Sequence, residues 1–92
     1  MRVSILGKFW RLLFTKDGLG SKNWGLCDPP TLRDKAIRVD PDLKGQKRME
    51  IIIHEVTHAS GFHLSEEYVE EFARDLARIL TKAGYHEIVR GD

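Results

Sequence analysis

The spacing of hydrophobic residues along the chain changes once, at about Gly45. Before it, strand-forming residues come in short runs at residues 3–5, 9–14, 24–27 and 36–39. Glycine, proline and aspartate separate these runs, which is typical of short strands joined by turns and loops. The pattern therefore predicts a small antiparallel sheet of about three strands in the first half of the chain, with a turn or bulge at Gly7.

After Gly45 the hydrophobic residues recur at intervals of three and four, as they do on one face of a helix. The first predicted helix ends at Gly61, a natural C-cap. The second begins after Ser65, whose hydroxyl suits an N-cap, and stops at Gly84. Its apolar face is formed by Val69, Phe72, Ala73, Leu76, Ile79, Leu80 and Ala83.

These elements predict an α+β fold, in which the small antiparallel sheet packs on two antiparallel helices joined by a tight turn. A single domain accounts for residues 1–92, because so short a chain builds one modest core. Trp10 and Trp24 are predicted to lie in the core or on the sheet face. The tail from Tyr85 to Asp92 is predicted to add an edge strand or to fray.

Composition narrows the classes of function. The formal net charge is +1, so the chain lacks the basic excess of a nucleic-acid or anionic-membrane binder. Cys27 is the single cysteine, which excludes an intramolecular disulfide and fits a reducing compartment. No secretory signal or membrane span is recognisable. We therefore expect a cytoplasmic protein with neither a nucleic-acid nor a membrane partner.

The candidate chemistry lies in the first helix, in the sequence His54-Glu55-Val56-Thr57-His58. Residues four apart lie one turn apart on one helix face, so His54 and His58 can direct two imidazole nitrogens at one zinc ion. Glu55 lies beside them, where it can act as general base on a zinc-activated water without binding the ion. At about 100° per residue, both histidines lie roughly opposite the apolar side of the helix. The alternative is a chance pair of solvent-facing histidines.

A catalytic zinc site takes a third protein ligand and keeps a fourth position open. Glu66 is the preferred third ligand, because it lies on the shoulder of the second helix's apolar face and the tight turn returns it beside His58. Glu70, Glu67 and His63 are the alternatives. His63 is one residue short of the spacing in the extended pattern His-Glu-x-x-His-x-x-Gly-x-x-His.

Two further groups of residues bear on the chemistry. Cys27 is a candidate fourth ligand or switch, whose thiolate would block the open position, and the alternative is a thiol packed as a small hydrophobic side chain. Hydrolysis also needs a donor aimed at the developing oxyanion. The candidate donors are Tyr68, His63, Tyr85 and His86.

The motif and its surroundings resemble the minimal gluzincin-type metallopeptidases, small domains with His-Glu-x-x-His on one helix and a glutamate ligand on the next. The chain is more closely similar to short proteins of phages and bacteria that pair this core with a Gly-x-Cys-Asp-Pro-Pro segment, here Gly25–Pro30. The resemblance covers nearly the whole chain. It implies that His54, His58 and Glu66 are the zinc ligands and that Glu55 is the catalytic base.

We therefore expect a Zn²⁺-dependent hydrolase, a metallopeptidase with a peptide or protein substrate. No long substrate-binding strand is identifiable in the sequence. One alternative is a non-catalytic or latent zinc-stabilised domain that acts as an adaptor or regulator, since a small core benefits from a metal; a fourth protein ligand such as Cys27 would favour it. The other is a DNA-associated protease of the SprT-like group, against which the near-neutral charge argues.

Overall fold

The computed structural model describes residues 1–86, so most of the predicted tail, residues 87–92, lies outside it. Within the described residues the fold is α+β, as predicted, and neither helix is long and apolar enough to cross a membrane. The elements are β1 (Arg2–Ile5), β2 (Lys8–Phe14), β3 (Gly25–Cys27), β4 (Ala36–Val39), α1 (Gly45–Ser60) and α2 (Glu66–Lys82).

The sheet has four strands in the order β1-β2-β4-β3, instead of about three, and it is mixed instead of antiparallel. β1 pairs with β2 and β3 with β4 in antiparallel fashion, whereas β2 and β4 are parallel, with Leu12 opposite Ile37. A parallel pair needs a long connection, and residues 15–35, which include β3, supply it. Alternation of hydrophobic and polar residues identifies a strand, but it does not tell whether the neighbouring strand runs parallel or antiparallel. The sequence pattern therefore does not predict the parallel pairing of β2 with β4.

Helix α1 lies between the sheet and α2. It packs on β1, β3 and β4, while α2 packs on α1 and, in residues 1–86, makes no comparable contact with a strand. The prediction that both helices pack on the sheet is therefore wrong for α2. The cause lies in Ile51–Ile53, three consecutive isoleucines that span about 200° of the helix circumference. Ile51 joins Trp10, Ile37 and Val39 in the core cluster, whereas Ile53 and Leu80 of α2 line a cavity shared by both helices.

The turn between β1 and β2 consists of Leu6 and Gly7, whose φ values are 51° and 78°. Positive φ at both positions defines the type I′ turn, for which asparagine followed by glycine is the favoured pair. The turn predicted at Gly7 is therefore confirmed. A leucine in this conformation costs on the order of 1 kcal/mol, and the side chain of Leu6 is 80% exposed. The strain is therefore not offset by burial in the protein's own core.

We expect Leu6→Asn to raise the free energy of unfolding by about 0.5–1 kcal/mol, because asparagine tolerates the left-handed conformation that leucine resists. Urea unfolding followed by tryptophan fluorescence measures the change. Leu32→Asn is the matched control, since Leu32 is also exposed but has no positive φ. Equal effects of the two substitutions would show that the turn is not strained.

Candidate metal centre

Three side chains from α1 and α2 converge beside the turn that joins the helices. The Nε2 atom of His54 lies 2.8 Å from Oε1 of Glu66, and Nε2 of His58 lies 2.9 Å from Oε2 of the same carboxylate. The ligand atoms of the three residues all lie within 4.8 Å of one another. Two imidazoles and one carboxylate form the donor set of many catalytic zinc sites.

The compact turn at residues 61–65 places Glu66 opposite the histidines. Gly61 ends α1, as predicted. Its φ is −154°, so the helix end does not need glycine for a left-handed conformation. Glycine is needed for space, because a Cβ at this position would lie 2.9 Å from the side chain of Leu64. The hydroxyl of Ser65 then accepts a hydrogen bond from the Tyr68 N–H, at 3.2 Å, and caps α2 as predicted. Glu66 is therefore the first residue of α2.

The spacing of the three donors fits a divalent ion. In a tetrahedral zinc site with bonds of about 2.0–2.1 Å, donor atoms lie roughly 3.3 Å apart. The two histidine–glutamate separations of 2.8 and 2.9 Å differ from this by about half an ångström. The imidazoles are mostly buried, with 16% and 15% of their side chains exposed, whereas Glu66 is 65% exposed. Glu66 is therefore the residue of the three whose rotation would most readily lengthen both separations to the spacing of a zinc site.

The other candidate third ligands are directed elsewhere. Glu70 accepts a hydrogen bond from Arg74, at 3.4 Å, and His63 lines a separate cavity. Neither belongs to the histidine–glutamate group, nor does Glu67. Among the described residues the structure thus brings Glu66, and none of the three alternatives, to both histidines.

Glu55 is buried directly beneath strand β3. Only 6% of the residue is exposed, and a Cβ added at Gly25 would lie 2.8 Å from its Oε2 atom. Burial raises the pKa of Glu55 to about 7, and the negative charge of Glu66 adds to the effect. A carboxyl group with a pKa near neutrality can accept and release a proton at physiological pH, as a general base must.

A cleft of about 560 Å³ joins these groups. Residues 22–27 form one wall, and His54, Glu55, His58 and Glu66 line it from the helices. The wall contains an edge strand, β3, which has only three residues. The hydrophobic pattern indicated a short strand here but did not predict its place at the edge of the sheet.

The backbone of β3 presents hydrogen-bonding groups to this edge. The Asp40 N–H donates to the Trp24 carbonyl at 2.8 Å, and the Asp28 N–H donates to the Ala36 carbonyl at 3.0 Å. Because bonding alternates along an antiparallel pair, residues 24, 26 and 28 face β4. The N–H and C=O groups of Gly25 and Cys27 are therefore directed away from β4, toward an edge with which no other described strand pairs.

Two of the predictions made from the sequence need correction at this cleft. Trp24 lies in its wall and is 51% exposed, with Lys47 Nζ 4.3 Å from its ring centroid, whereas Trp10 is buried in the core as predicted. None of the four predicted oxyanion donors lines the cleft: His63, Tyr85 and His86 line other cavities, and Tyr68 stacks on Phe72. The side-chain donors that do line it are Lys22, Asn23 and Trp24.

Cys27 lines the cleft but does not join the ligand group among the described residues. Its Sγ donates to the Asp28 carbonyl at 3.4 Å, and burial, with the charges of Glu55 and Asp28, raises its pKa to about 12. The thiol is thus protonated at neutral pH in the metal-free protein. Its neighbour Asp28 accepts hydrogen bonds from the Ala36 N–H, at 2.9 Å, and from Arg38, at 3.0 Å, and so ties the end of β3 to β4.

The geometry of these residues is the basis for assigning a function. Comparison of the chain with protein-family models, with curated proteins and with solved structures finds no match. The resemblance to gluzincin-type metallopeptidases therefore stays a hypothesis, carried by residues 54–58 and by Glu66.

Replacing Glu55 by glutamine should stabilise the metal-free protein at alkaline pH. Because its folded pKa of about 7 exceeds the ordinary value of 4.5, the folded state binds more protons than the unfolded state between these values. Stability is therefore lost as the pH rises through this window. We expect Glu55→Gln to unfold with a free energy on the order of 2 kcal/mol above wild type at pH 8, with little difference at pH 5.

Urea unfolding in the presence of a chelator measures this difference. Glu71→Gln, the same chemical change at an exposed position of α2, is the control and should show no such pH dependence. A Glu55→Gln variant that differs from wild type equally at both pH values would contradict the raised pKa.

The raised pKa of Cys27 should suppress its alkylation. At pH 8 we expect iodoacetamide to modify the folded, metal-free protein roughly two to three orders of magnitude more slowly than the urea-unfolded chain, because so little thiolate is present. The rate should rise steeply above pH 10, which mass spectrometry follows. Equal rates in the two states would show that the folded thiol is ionised and available as a ligand.

Proposed function

We propose that the protein is a zinc-dependent hydrolase, specifically a metallopeptidase, in which His54, His58 and Glu66 hold the ion and Glu55 is the general base. One observation carries the proposal. Two histidine Nε2 atoms converge on a single carboxylate, 2.8 and 2.9 Å away, in the cleft that a buried glutamate also lines. This combination provides both the donors for a metal and the proton acceptor for hydrolysis.

Glu55 and Glu66 have different roles in the proposed reaction. A bound zinc ion supplies a Lewis acid that acidifies water and polarises a carbonyl oxygen. Glu55 accepts the proton of the attacking water and then delivers it to the nitrogen of the departing amine. Its place in the wall of the cleft that the histidines and Glu66 also line suits both transfers. Glu66, at the start of α2, holds the two helices in register with the ion and contributes negative charge beside the base.

The edge strand supports a peptide as the substrate. An extended peptide can pair with the outward N–H and C=O groups of Gly25 and Cys27 as one more strand of the sheet. Gly25 also keeps this strand close to the base, since any larger side chain there would press on Glu55. The backbone of a substrate peptide paired with β3 would thereby lie close to Glu55, the general base.

A non-catalytic, zinc-stabilised domain is the second candidate. It is favoured by the architecture, because α2 packs only on α1 among the described elements and an ion would fasten the two helices together. Structural zinc sites are closed by four protein ligands, however, whereas catalytic sites keep one position open. The group found among the described residues contains three ligands without Cys27, which supports the hydrolase. The free thiol fits a reducing compartment, and we propose a cytoplasmic location.

Zinc content and peptide cleavage, measured on the same preparations, test the proposal. We expect one zinc ion per chain in wild type and in Glu55→Gln, and an affinity at least about 100-fold lower in Glu66→Ala, which loses one of three ligands. Wild type should cleave members of a proteome-derived peptide library, read by mass spectrometry. Glu55→Gln should lose at least about 100-fold in rate, because general base catalysis contributes that much or more.

Glu70→Ala and Glu71→Gln are the matched controls for metal binding and for cleavage. Full zinc affinity in Glu66→Ala together with its loss in Glu70→Ala would overturn the ligand assignment. Tight zinc binding without cleavage of any library peptide, together with a lower melting temperature after metal removal, would establish the zinc-stabilised domain instead.

A further inference from the structure

A second cavity, of about 480 Å³, adjoins the metal-centre cleft. Phe62 lines both cavities, so they meet at this residue. This ring is 47% exposed, and its centroid lies 6.5 Å from that of His58, edge to face. The second cavity is lined chiefly by Ile5, Leu6, Lys8, Pro30, Phe62 and His63.

The chain leads from strand β3 to the second cavity. The strand forms part of the cleft wall and ends at Cys27, and Pro30 then lines the second cavity. Prolines have no N–H group, so Pro29 and Pro30 cannot extend the row of backbone donors beyond the strand. The chain therefore presents hydrogen-bonding backbone along β3 and, from Pro30, lines a cavity with mainly apolar side chains.

Leu6 lines this cavity although neither its backbone conformation nor its exposure favours a leucine. It occupies the hairpin turn with φ 51°, where asparagine or glycine is favoured, and it exposes 80% of its surface. A strained conformation and an exposed apolar side chain both disfavour leucine here. Features that break the local rules of folding in this way are typical of binding sites.

We propose that this second cavity, which shares Phe62 with the metal-centre cleft, binds an apolar side chain of the peptide substrate. Leu6 and Phe62 form its apolar surface, together with Ile5 and Pro30. The inference rests on the proposed function for the nature of its ligand, because the cavity and the cleft share Phe62. It assigns the strained leucine to substrate binding.

Blocked amino acids test the cavity without requiring catalysis. N-acetyl-leucine amide and N-acetyl-aspartate amide are titrated separately into the ¹⁵N-labelled, zinc-supplemented Glu55→Gln chain. We expect the leucine probe to cause saturable shifts at the amides of Leu6, Gly7 and Phe62, with at least about fivefold higher affinity than the aspartate probe. This preference corresponds to the burial of one aliphatic side chain.

Adding Leu6→Asn should weaken binding of the leucine probe at least about fivefold. Because this substitution is expected to stabilise the hairpin, lost binding cannot be attributed to unfolding. Ile79→Asn, the same kind of change at an exposed position of α2 that lines neither cavity, should leave the affinity unchanged. Absence of saturable shifts, equal affinity for both probes, or an unaltered affinity in Leu6→Asn would each overturn the proposal.

The peptide library separates this proposal from the proposed function. Peptides cleaved by wild type should be enriched in apolar residues at one fixed distance from the scissile bond, and Leu6→Asn should abolish that enrichment. Probe binding without any cleavage would refute the peptidase and uphold the cavity as a site for apolar side chains. Cleavage without probe binding and without this enrichment would uphold the peptidase and refute the cavity.

Discussion

The close approach of strand β3 to helix α1 is the constraint on which the rest of the site depends. The two elements lie so near each other that a Cβ at residue 25 would fall 2.8 Å from the Glu55 carboxylate and 2.8 Å from Ile51. This contact buries Glu55 and thereby raises its pKa to about 7. It also brings an edge of the sheet that no other strand of residues 1–86 covers beside the candidate metal-binding histidines. A single glycine thus links the basicity of the buried carboxylate with the position of the strand that a peptide would join.

Helix α1 meets two further demands because it lies between the sheet and α2. One side supplies Ile51 to the core, and the other directs His54 and His58 at Glu66. Since α2 packs on α1 alone among the described elements, the position of Glu66 depends on the turn at residues 61–65 and on the close helix contact at Val69, Ala73 and Ala77, which are fully buried. Binding of an ion would stabilise this same helix pair, so metal affinity and folding are coupled.

The features that depend on local spacing could be predicted from the sequence, and those that depend on distant contacts could not. Helical periodicity places His54 and His58 on one face, and the N-cap at Ser65 places Glu66 near them. The parallel pairing of β2 with β4 and the position of β3 at the edge arise from contacts between residues far apart in the chain. Trp24 was misassigned for the same reason, because the pattern around it describes a strand but not which elements cover it. The burial of Glu55 likewise depends on Gly25, which lies thirty positions earlier in the sequence.

Two residues of the neighbouring cavities are held in arrangements that folding alone disfavours. Glu55 is only 6% exposed, and burial raises its pKa to about 7, whereas Leu6 keeps a leucine in a left-handed, exposed turn. Either arrangement lowers stability, and a single conservative substitution would relieve each. The two cavities share Phe62. Such costs are expected at functional sites, and this is the reason for our proposal that the two cavities are parts of one site, with chemistry at Glu55 and recognition at Leu6.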